Sequence, residues 1–139
     1  MRLFLDANVL FSAAQSIDGR ARGLFTLAES RHCSLLTSEH AIGEARRNLM
    51  MKAPSAVRDF EDLLEQVQIV GEGGSGLFAW ASGQGLSEND APILSAAACA
   101  SADLLVTGDR RHFGHLFGVT TGGIRVVTLR DALRLVSTS

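Results

Sequence analysis

Apolar residues along the chain follow two alternating patterns. Short, mostly apolar strand candidates occupy residues 3–5, 33–37, 67–70, 104–106 and 125–128, and those at 3–5 and 104–106 are unbroken. The two unbroken runs predict strands buried on both faces, as in a parallel sheet. Between them, apolar residues recur at helical spacing. Leu24, Leu27 and Ala28 do so within 20–31, and Ala41, Ile42, Ala45 and Leu49 within 39–51. Val57, Phe60, Leu63 and Leu64 follow Pro54 and Ser55, which open a further helix. Ser38 stands at the N-cap position of the 39–51 helix. The spacing also predicts a short helix over 77–82, an Ala-rich helix over 90–102 with Pro92 in its first turn, and a last helix over 130–136. The GEGGSG stretch at 71–76 is a surface loop, and Gly122-Gly123 is a turn.

Strands alternating with helices define an α/β fold, with a mainly parallel sheet of about five strands flanked by helices. A length of 139 residues suits a single domain, 1–139, with a substantial core. In such sheets, sites form beyond the carboxyl ends of the strands. Asp6 follows the first strand and Asp109 the fourth. Either acid alone reads as readily as a turn or cap residue. Together they emerge at one edge of one sheet. Glu44 lies at the border of the apolar stripe of its helix, on the side of His40 and Asn48. There it can lean toward a strand end, or sit in solvent beside Arg47 or Asn48. Asp90 begins a helix, as its N-cap or as the last residue of a Ser87-x-x-Asp90 capping box. Asp103 begins the fourth strand, at the end opposite Asp109, and reads as a turn residue.

Composition narrows the chemistry. A net charge of −2 argues against a broad basic face for long duplexes. Twelve of the thirteen basic residues are Arg, which pairs bidentately with phosphate; the one Lys is Lys52. Cys33 and Cys99 lie far apart in apolar or small-residue surroundings, so both are expected to be buried free thiols, and no Cys/His spacing supports zinc. No GxxxxGK[ST] phosphate loop occurs. No apolar run reaches membrane-spanning length and no secretory signal opens the chain, so a cytoplasmic protein without a membrane role is the expectation. Acids that converge without a balancing Lys repel one another, and a divalent cation relieves that repulsion. Hard oxygen ligands suit Mg²⁺ or Mn²⁺, which can acidify a bound water and stabilise charge on a phosphate under attack.

Four segments together resemble the PIN-domain family. Leu3-Phe4-Leu5-Asp6-Ala7-Asn8-Val9-Leu10 is similar to the family's opening, and Ile42-Gly43-Glu44-Ala45-Arg46-Arg47-Asn48-Leu49 to its second motif. Asp90-Ala91-Pro92-Ile93-Leu94-Ser95-Ala96-Ala97 is similar to the third. The fourth is matched by Leu104 through Phe113, with Thr107-Gly108-Asp109 at its centre. The resemblance implies a PIN-like fold and a Mg²⁺- or Mn²⁺-dependent endoribonuclease. It makes Asp6, Asp90 and Asp109 metal ligands and Glu44 the acid completing a catalytic set of four. Asn8 and Thr107 match positions that support the site by hydrogen bonds. It further implies a VapC-like toxin of a toxin–antitoxin pair, often a homodimer, with a cognate antitoxin as partner and RNA as substrate. Arg46 and Arg47 beside Glu44, and Arg110, Arg111 and His112 after Asp109, are candidates for guiding RNA; His32 and His115 have no visible partner. Two rivals remain. A Mg²⁺-dependent phosphatase or phospho-receiver protein also places an Asp after its first strand, but residue 8 is Asn and the only Lys lies in a helix tail. A non-catalytic PIN-like interaction module would keep the fold without the chemistry.

Overall fold

The first apolar run forms β1 (Arg2–Leu5), and the chain turns at once into α1 (Ala7–Gln15). The computed structural model describes residues 1–138. After α2 (Arg20–Glu29) come β2 (Ser34–Ser38), α3 (Glu39–Lys52), a 3-10 turn (Pro54–Ala56) and α4 (Val57–Leu64). Then follow β3 (Gln68–Val70), α5 (Ser75–Ser82), α6 (Ala91–Cys99) and β4 (Leu104–Val106). The last part holds α7 (Arg110–Phe113), a 3-10 turn (Gly114–Leu116), β5 (Thr120–Thr121), β6 (Ile124–Val127) and α8 (Leu129–Thr138).

The strands form one sheet in the order β3-β2-β1-β4-β6-β5, parallel except for the β5–β6 pair. The sheet grows outward from β1 to β3, and the chain then returns to lay β4 on the other side of β1. The β1–β4 seam is therefore the point where strand order reverses, the place where open α/β sheets build their sites. Leu3, Phe4, Leu5, Leu36, Leu105 and Val106 have no exposed surface. Layers on both faces of the sheet explain why these strands are unbroken apolar runs rather than alternating ones. The helices pack α1 against α3 and α4, α5 against α6, and α2 against α8.

Register decides which residues reach the carboxyl edge together. Leu5 pairs with Val106, so Asp6 comes level with Thr107, and the Asp6 amide donates to the Val106 carbonyl at 3.1 Å. On the other side Phe4 pairs with Leu36. This sets Ser38 at the same edge, where its Oγ accepts from the Ala41 amide at 3.2 Å and caps α3. Thr37, fully buried one residue earlier, donates its hydroxyl to the Leu5 carbonyl at 2.9 Å.

Three features differ from the sequence expectation. The sheet has six strands, because the two-residue β5 pairs across the Gly122-Gly123 turn and is too short to leave a hydrophobic signature. The helix α1 was not predicted. Its buried stripe of Val9, Leu10, Ala13 and Ala14 is helical, but it starts directly behind a strand with no intervening loop. Cys33 is buried, whereas Cys99 is exposed, because the last turn of α6 rises out of the core. Asp103 behaves as expected and accepts the Arg2 amide at 2.7 Å. No helix among the described residues is long and apolar enough to cross a membrane.

Two helices end in the same way. Past α2, the Arg31 and His32 amides bond to the Ala28 and Leu27 carbonyls; past α6, the Ser101 and Ala102 amides bond to Ala98 and Ala97. This is the Schellman closure, whose left-handed position usually holds glycine. Here it holds Arg31 at φ 62° and Ser101 at φ 54°. Glycine removes the Cβ clash at a smaller cost in unfolded-state entropy. Arg31→Gly and Ser101→Gly should each stabilise the fold by about 0.5–1 kcal/mol. Urea unfolding checks this, and a loss of stability in both would contradict the helix-end geometry.

Candidate metal centre

Asp6 is held from both ends of its carboxylate. Oδ1 accepts the Ala7 amide at 2.7 Å and caps α1, while Oδ2 accepts the Thr107 hydroxyl at 2.7 Å and the Asn8 side-chain amide at 3.3 Å. Having donated its one proton to Asp6, the Thr107 hydroxyl can only accept from its other neighbours. It takes the Asp109 amide at 3.1 Å and Asn8 Nδ2 at 3.3 Å. Asn8 Oδ1 in turn accepts the Gly108 amide at 2.7 Å. A Cβ on Gly108 would come within 3.3 Å of that oxygen, so the approach favours glycine. Thus Asn8 and Thr107, placed beside the acids by sequence, tie the end of β1 to the turn after β4.

The other acids arrive on helices. Asp109 stands at the N-cap of α7: its Oδ1 accepts the His112 amide at 3.0 Å, and its Oδ2 lies 2.7 Å from His112 Nδ1. Asp90 occupies the N-cap position of α6, yet its side chain makes no cap bond there. The turn is closed instead by Ser87, whose Oγ accepts the Asp90 amide at 3.3 Å and donates to Asp90 Oδ2 at 2.9 Å. Asp90 thus stands at the N-cap, as one sequence reading has it, and is bonded to Ser87, as the other has it, while its carboxylate caps no amide of α6 and faces His112 Nδ1 at 3.9 Å. Glu44 is half-buried on α3 and pairs with neither Arg47 nor Asn48. His40, one turn before it, bonds the Asn89 carbonyl at 3.0 Å and fastens α3 to the segment that carries Asp90.

Asp6, Glu44, Asp90 and Asp109 line one pocket of about 490 Å³, together with Asn8, Ser12, Asn48 and Gly108. No Lys or Arg lines it. Ligating atoms of Asp90, Asp109 and His112 lie within 4.8 Å of one another. Carboxylates and one imidazole, with two further acids close by, form a donor set that fits a divalent cation.

The basic candidates are not all at the pocket. Arg46 turns away: it forms a two-pronged ion pair with Glu61, at 2.8 and 3.1 Å, and lies over the Phe60 ring. Arg47 is exposed and lies along its own helix over Gly43. Arg110 lies over Phe117 and Arg111 is exposed, both on the turn beside Asp109. Lys52 is exposed at the last residue of α3 and does not reach the pocket. His115, without a visible partner in the sequence, bonds the Gln84 carbonyl at 2.8 Å. Sequence reasoning missed Ser12 as a pocket residue. It lies one helical turn after Asn8, as Asn48 lies one turn after Glu44, and reading α1 as a helix would have found it.

Burial sets the electrostatics. Loss of water lifts the Asp6 carboxyl from 3.8 to about 6. The Thr107 and Ala7 hydrogen bonds oppose the rise, while Glu44 and Asp109 add to it. His112 moves up as well, chiefly through its hydrogen bond to Asp109, with the charges of Asp109 and Asp90 behind it. For Asp6 the ionised form costs on the order of 3 kcal/mol at neutral pH. A carboxyl with a raised folded-state pKa binds its proton more tightly when folded, so stability falls as pH rises between its unfolded and folded values. The metal-free protein should therefore lose about 2–3 kcal/mol between about pH 4 and about pH 7 relative to Asp6→Asn. Urea titrations of both proteins at the two pH values measure it. Parallel curves would mean that Asp6 is not desolvated.

The chain matches the model of the PIN domain over residues 2–111. Among solved structures, VapBC2 from Rickettsia felis bound to a DNA fragment from their promoter aligns with a TM-score of 0.70 at 16% identity, covering 92% of this chain and 98% of that one. PAE2754 from Pyrobaculum aerophilum aligns with a TM-score of 0.71 at 16% identity, over 100% of this chain and 97% of that one. VapBC-1 from nontypeable Haemophilus influenzae aligns at 0.58 and 15% identity, over 94% and 99%. No curated protein matches the sequence. The seam of the sheet, the acids gathered on it and the matched family model lead to one assignment: the chain belongs to the PIN domain family.

Proposed function

We propose that this protein is a divalent-metal-dependent endoribonuclease and the toxin component of a toxin–antitoxin pair. The observation that carries the reading is the pocket: four carboxylates from four separate segments share about 490 Å³ with no basic side chain in the lining. Such a cluster is costly unless a cation occupies it, and family members are generally nucleases.

In this reading Asp6, Asp90 and Asp109 hold the cation. Bound there, it would supply an acidified water and counter-charge for a phosphate. The protein's own groups do the positioning. Asn8 and Thr107 fix Asp6 in one orientation through the bonds described above. Glu44 has no protein hydrogen-bond donor among the described residues, which leaves it to accept the proton of an attacking water. Ser12 and Asn48 give the wall along α1 and α3 neutral hydrogen-bonding groups that do not repel RNA phosphate. Arg110 and Arg111, on the turn after Asp109, offer the nearest positive charge to a strand leaving the pocket. An aspartyl-phosphate route has less support. The pocket lacks a Lys, and Asn8 stands where a second Asp would act, with both ends of its amide already bonded. The toxin assignment draws on the fold shared with VapBC proteins, and a cognate antitoxin is the partner it implies.

A panel of single-stranded and structured RNAs tests the reading. Cleavage should require Mn²⁺ or Mg²⁺ and stop with EDTA. Asp6→Asn should lower the rate at least about a hundredfold while leaving the fold intact; cutting at the parent rate would place the site elsewhere. Arg111→Ala should weaken RNA binding and reduce the slope of log affinity against log salt by about 0.7. Filter binding at several salt concentrations reads this, and an unchanged slope would remove Arg111 from the RNA path.

A further inference from the structure

We infer that His112 is itself a ligand of the cation, and that its imidazole makes the centre select Mn²⁺ over Mg²⁺. This rests on the metal-dependent reading above. The sequence offered His112 as a residue at the edge of the site that could guide RNA; in the structure its ring lies between Asp109 and Asp90.

Three observations carry the inference. First, the ring is fixed in place. Asp109 bonds the His112 backbone amide through Oδ1 and lies against the ring Nδ1 through Oδ2, so one carboxylate holds both the main chain and the side chain of α7. Second, the spacing suits shared coordination. Nδ1 is 2.7 Å from Asp109 Oδ2 and 3.9 Å from Asp90 Oδ2. In an octahedral shell of about 2.1 Å radius, adjacent ligand atoms lie about 3.0 Å apart and opposite ones about 4.2 Å. An ion seated among the three atoms thus needs only small side-chain adjustments. Third, the same nitrogen stands between two carboxylates with no other protein partner. It either keeps a proton there as a counter-charge or gives a lone pair to a metal. When the metal binds, the Nδ1 proton leaves to solvent and the ring keeps its proton on Nε2.

The chemical consequence concerns which metal is held. Mg²⁺ demands oxygen donors and a near-ideal octahedron, and gains little from imidazole. Mn²⁺ accepts nitrogen in a mixed shell. A site of carboxylates alone would hold the two ions more evenly. Adding His112 tips the balance toward Mn²⁺ through a residue outside the acidic set.

The test loads the full chain with Mn²⁺ alone and records pulsed electron paramagnetic resonance spectra, then displaces the ion with Mg²⁺. The wild type should show coupling of Mn²⁺ to a ¹⁴N nucleus, and His112→Ala should lose it. The Mg²⁺ concentration needed for half displacement should fall about tenfold in that variant. His112 is exposed, so the variant should fold normally. Bound Mn²⁺ without ¹⁴N coupling, or coupling that survives in His112→Ala, would overturn the inference and leave the metal-centre reading standing. Failure of the wild type to bind Mn²⁺ would overturn both.

Discussion

The bond on which the pocket depends is the 2.7 Å contact from the Thr107 hydroxyl to Asp6. It joins the last turn of one strand to the first turn beyond its neighbour, and both partners are buried. A carboxylate so deprived of water needs donors, and the chain supplies them from Thr107, Ala7 and Asn8. The Thr107 and Ala7 bonds lower the carboxyl's pKa, but burial outweighs them. The site therefore holds a group kept near its limit, well oriented and still short of positive charge. Asn8 extends the constraint by tying the Gly108 amide to α1, and the Asp109 amide reaches the Thr107 oxygen. One hydroxyl thereby sets two of the four acids in a common frame.

The remaining two acids are positioned by helices and the turns that lead into them. Glu44 rides on α3, whose start is fixed by Ser38 at the same sheet edge as Asp6. Asp90 depends on the Ser87 turn and on the His40–Asn89 bond that holds α3 beside it. The pocket thus combines a rigid half at the β1–β4 seam with a half assembled by side-chain contacts between α3 and the segment preceding α6.

Much of this was legible in the sequence, and the exceptions have physical causes. The central strands β1 and β4 announced themselves because strands buried on both faces must be almost wholly apolar, whereas β3, exposed at the sheet edge, showed only as a short run before a glycine-rich stretch. The acids at strand ends were legible because the topology rule applies before any coordinates exist. Glu44 could be placed at the helix border because helical periodicity is rigid. What escaped notice was short or context-bound. Two-residue β5 has no periodicity, and α1 has no loop to mark its start. Asp90 holds the N-cap position and the Ser87 pairing that its sequence marks, but the sequence could not show that its carboxylate leaves the α6 amides uncapped. The alliance of His112 with Asp109 was within reach, since an i,i+3 pair on a helical turn brings side chains together. Arg46 was unreadable without α4, which carries its partner Glu61 fifteen residues on.

The seam between β1 and β4 unites residues a hundred positions apart in sequence. Loop closure on that scale costs more entropy than closing a local turn. A chain emerging from the ribosome carries Asp6 and Glu44 long before Thr107 and Asp109 exist to join them. Its four carboxylates cannot converge until residues 107–109 have been made. The order of the strands thus makes the pocket a product of the folded chain and never of its first half alone.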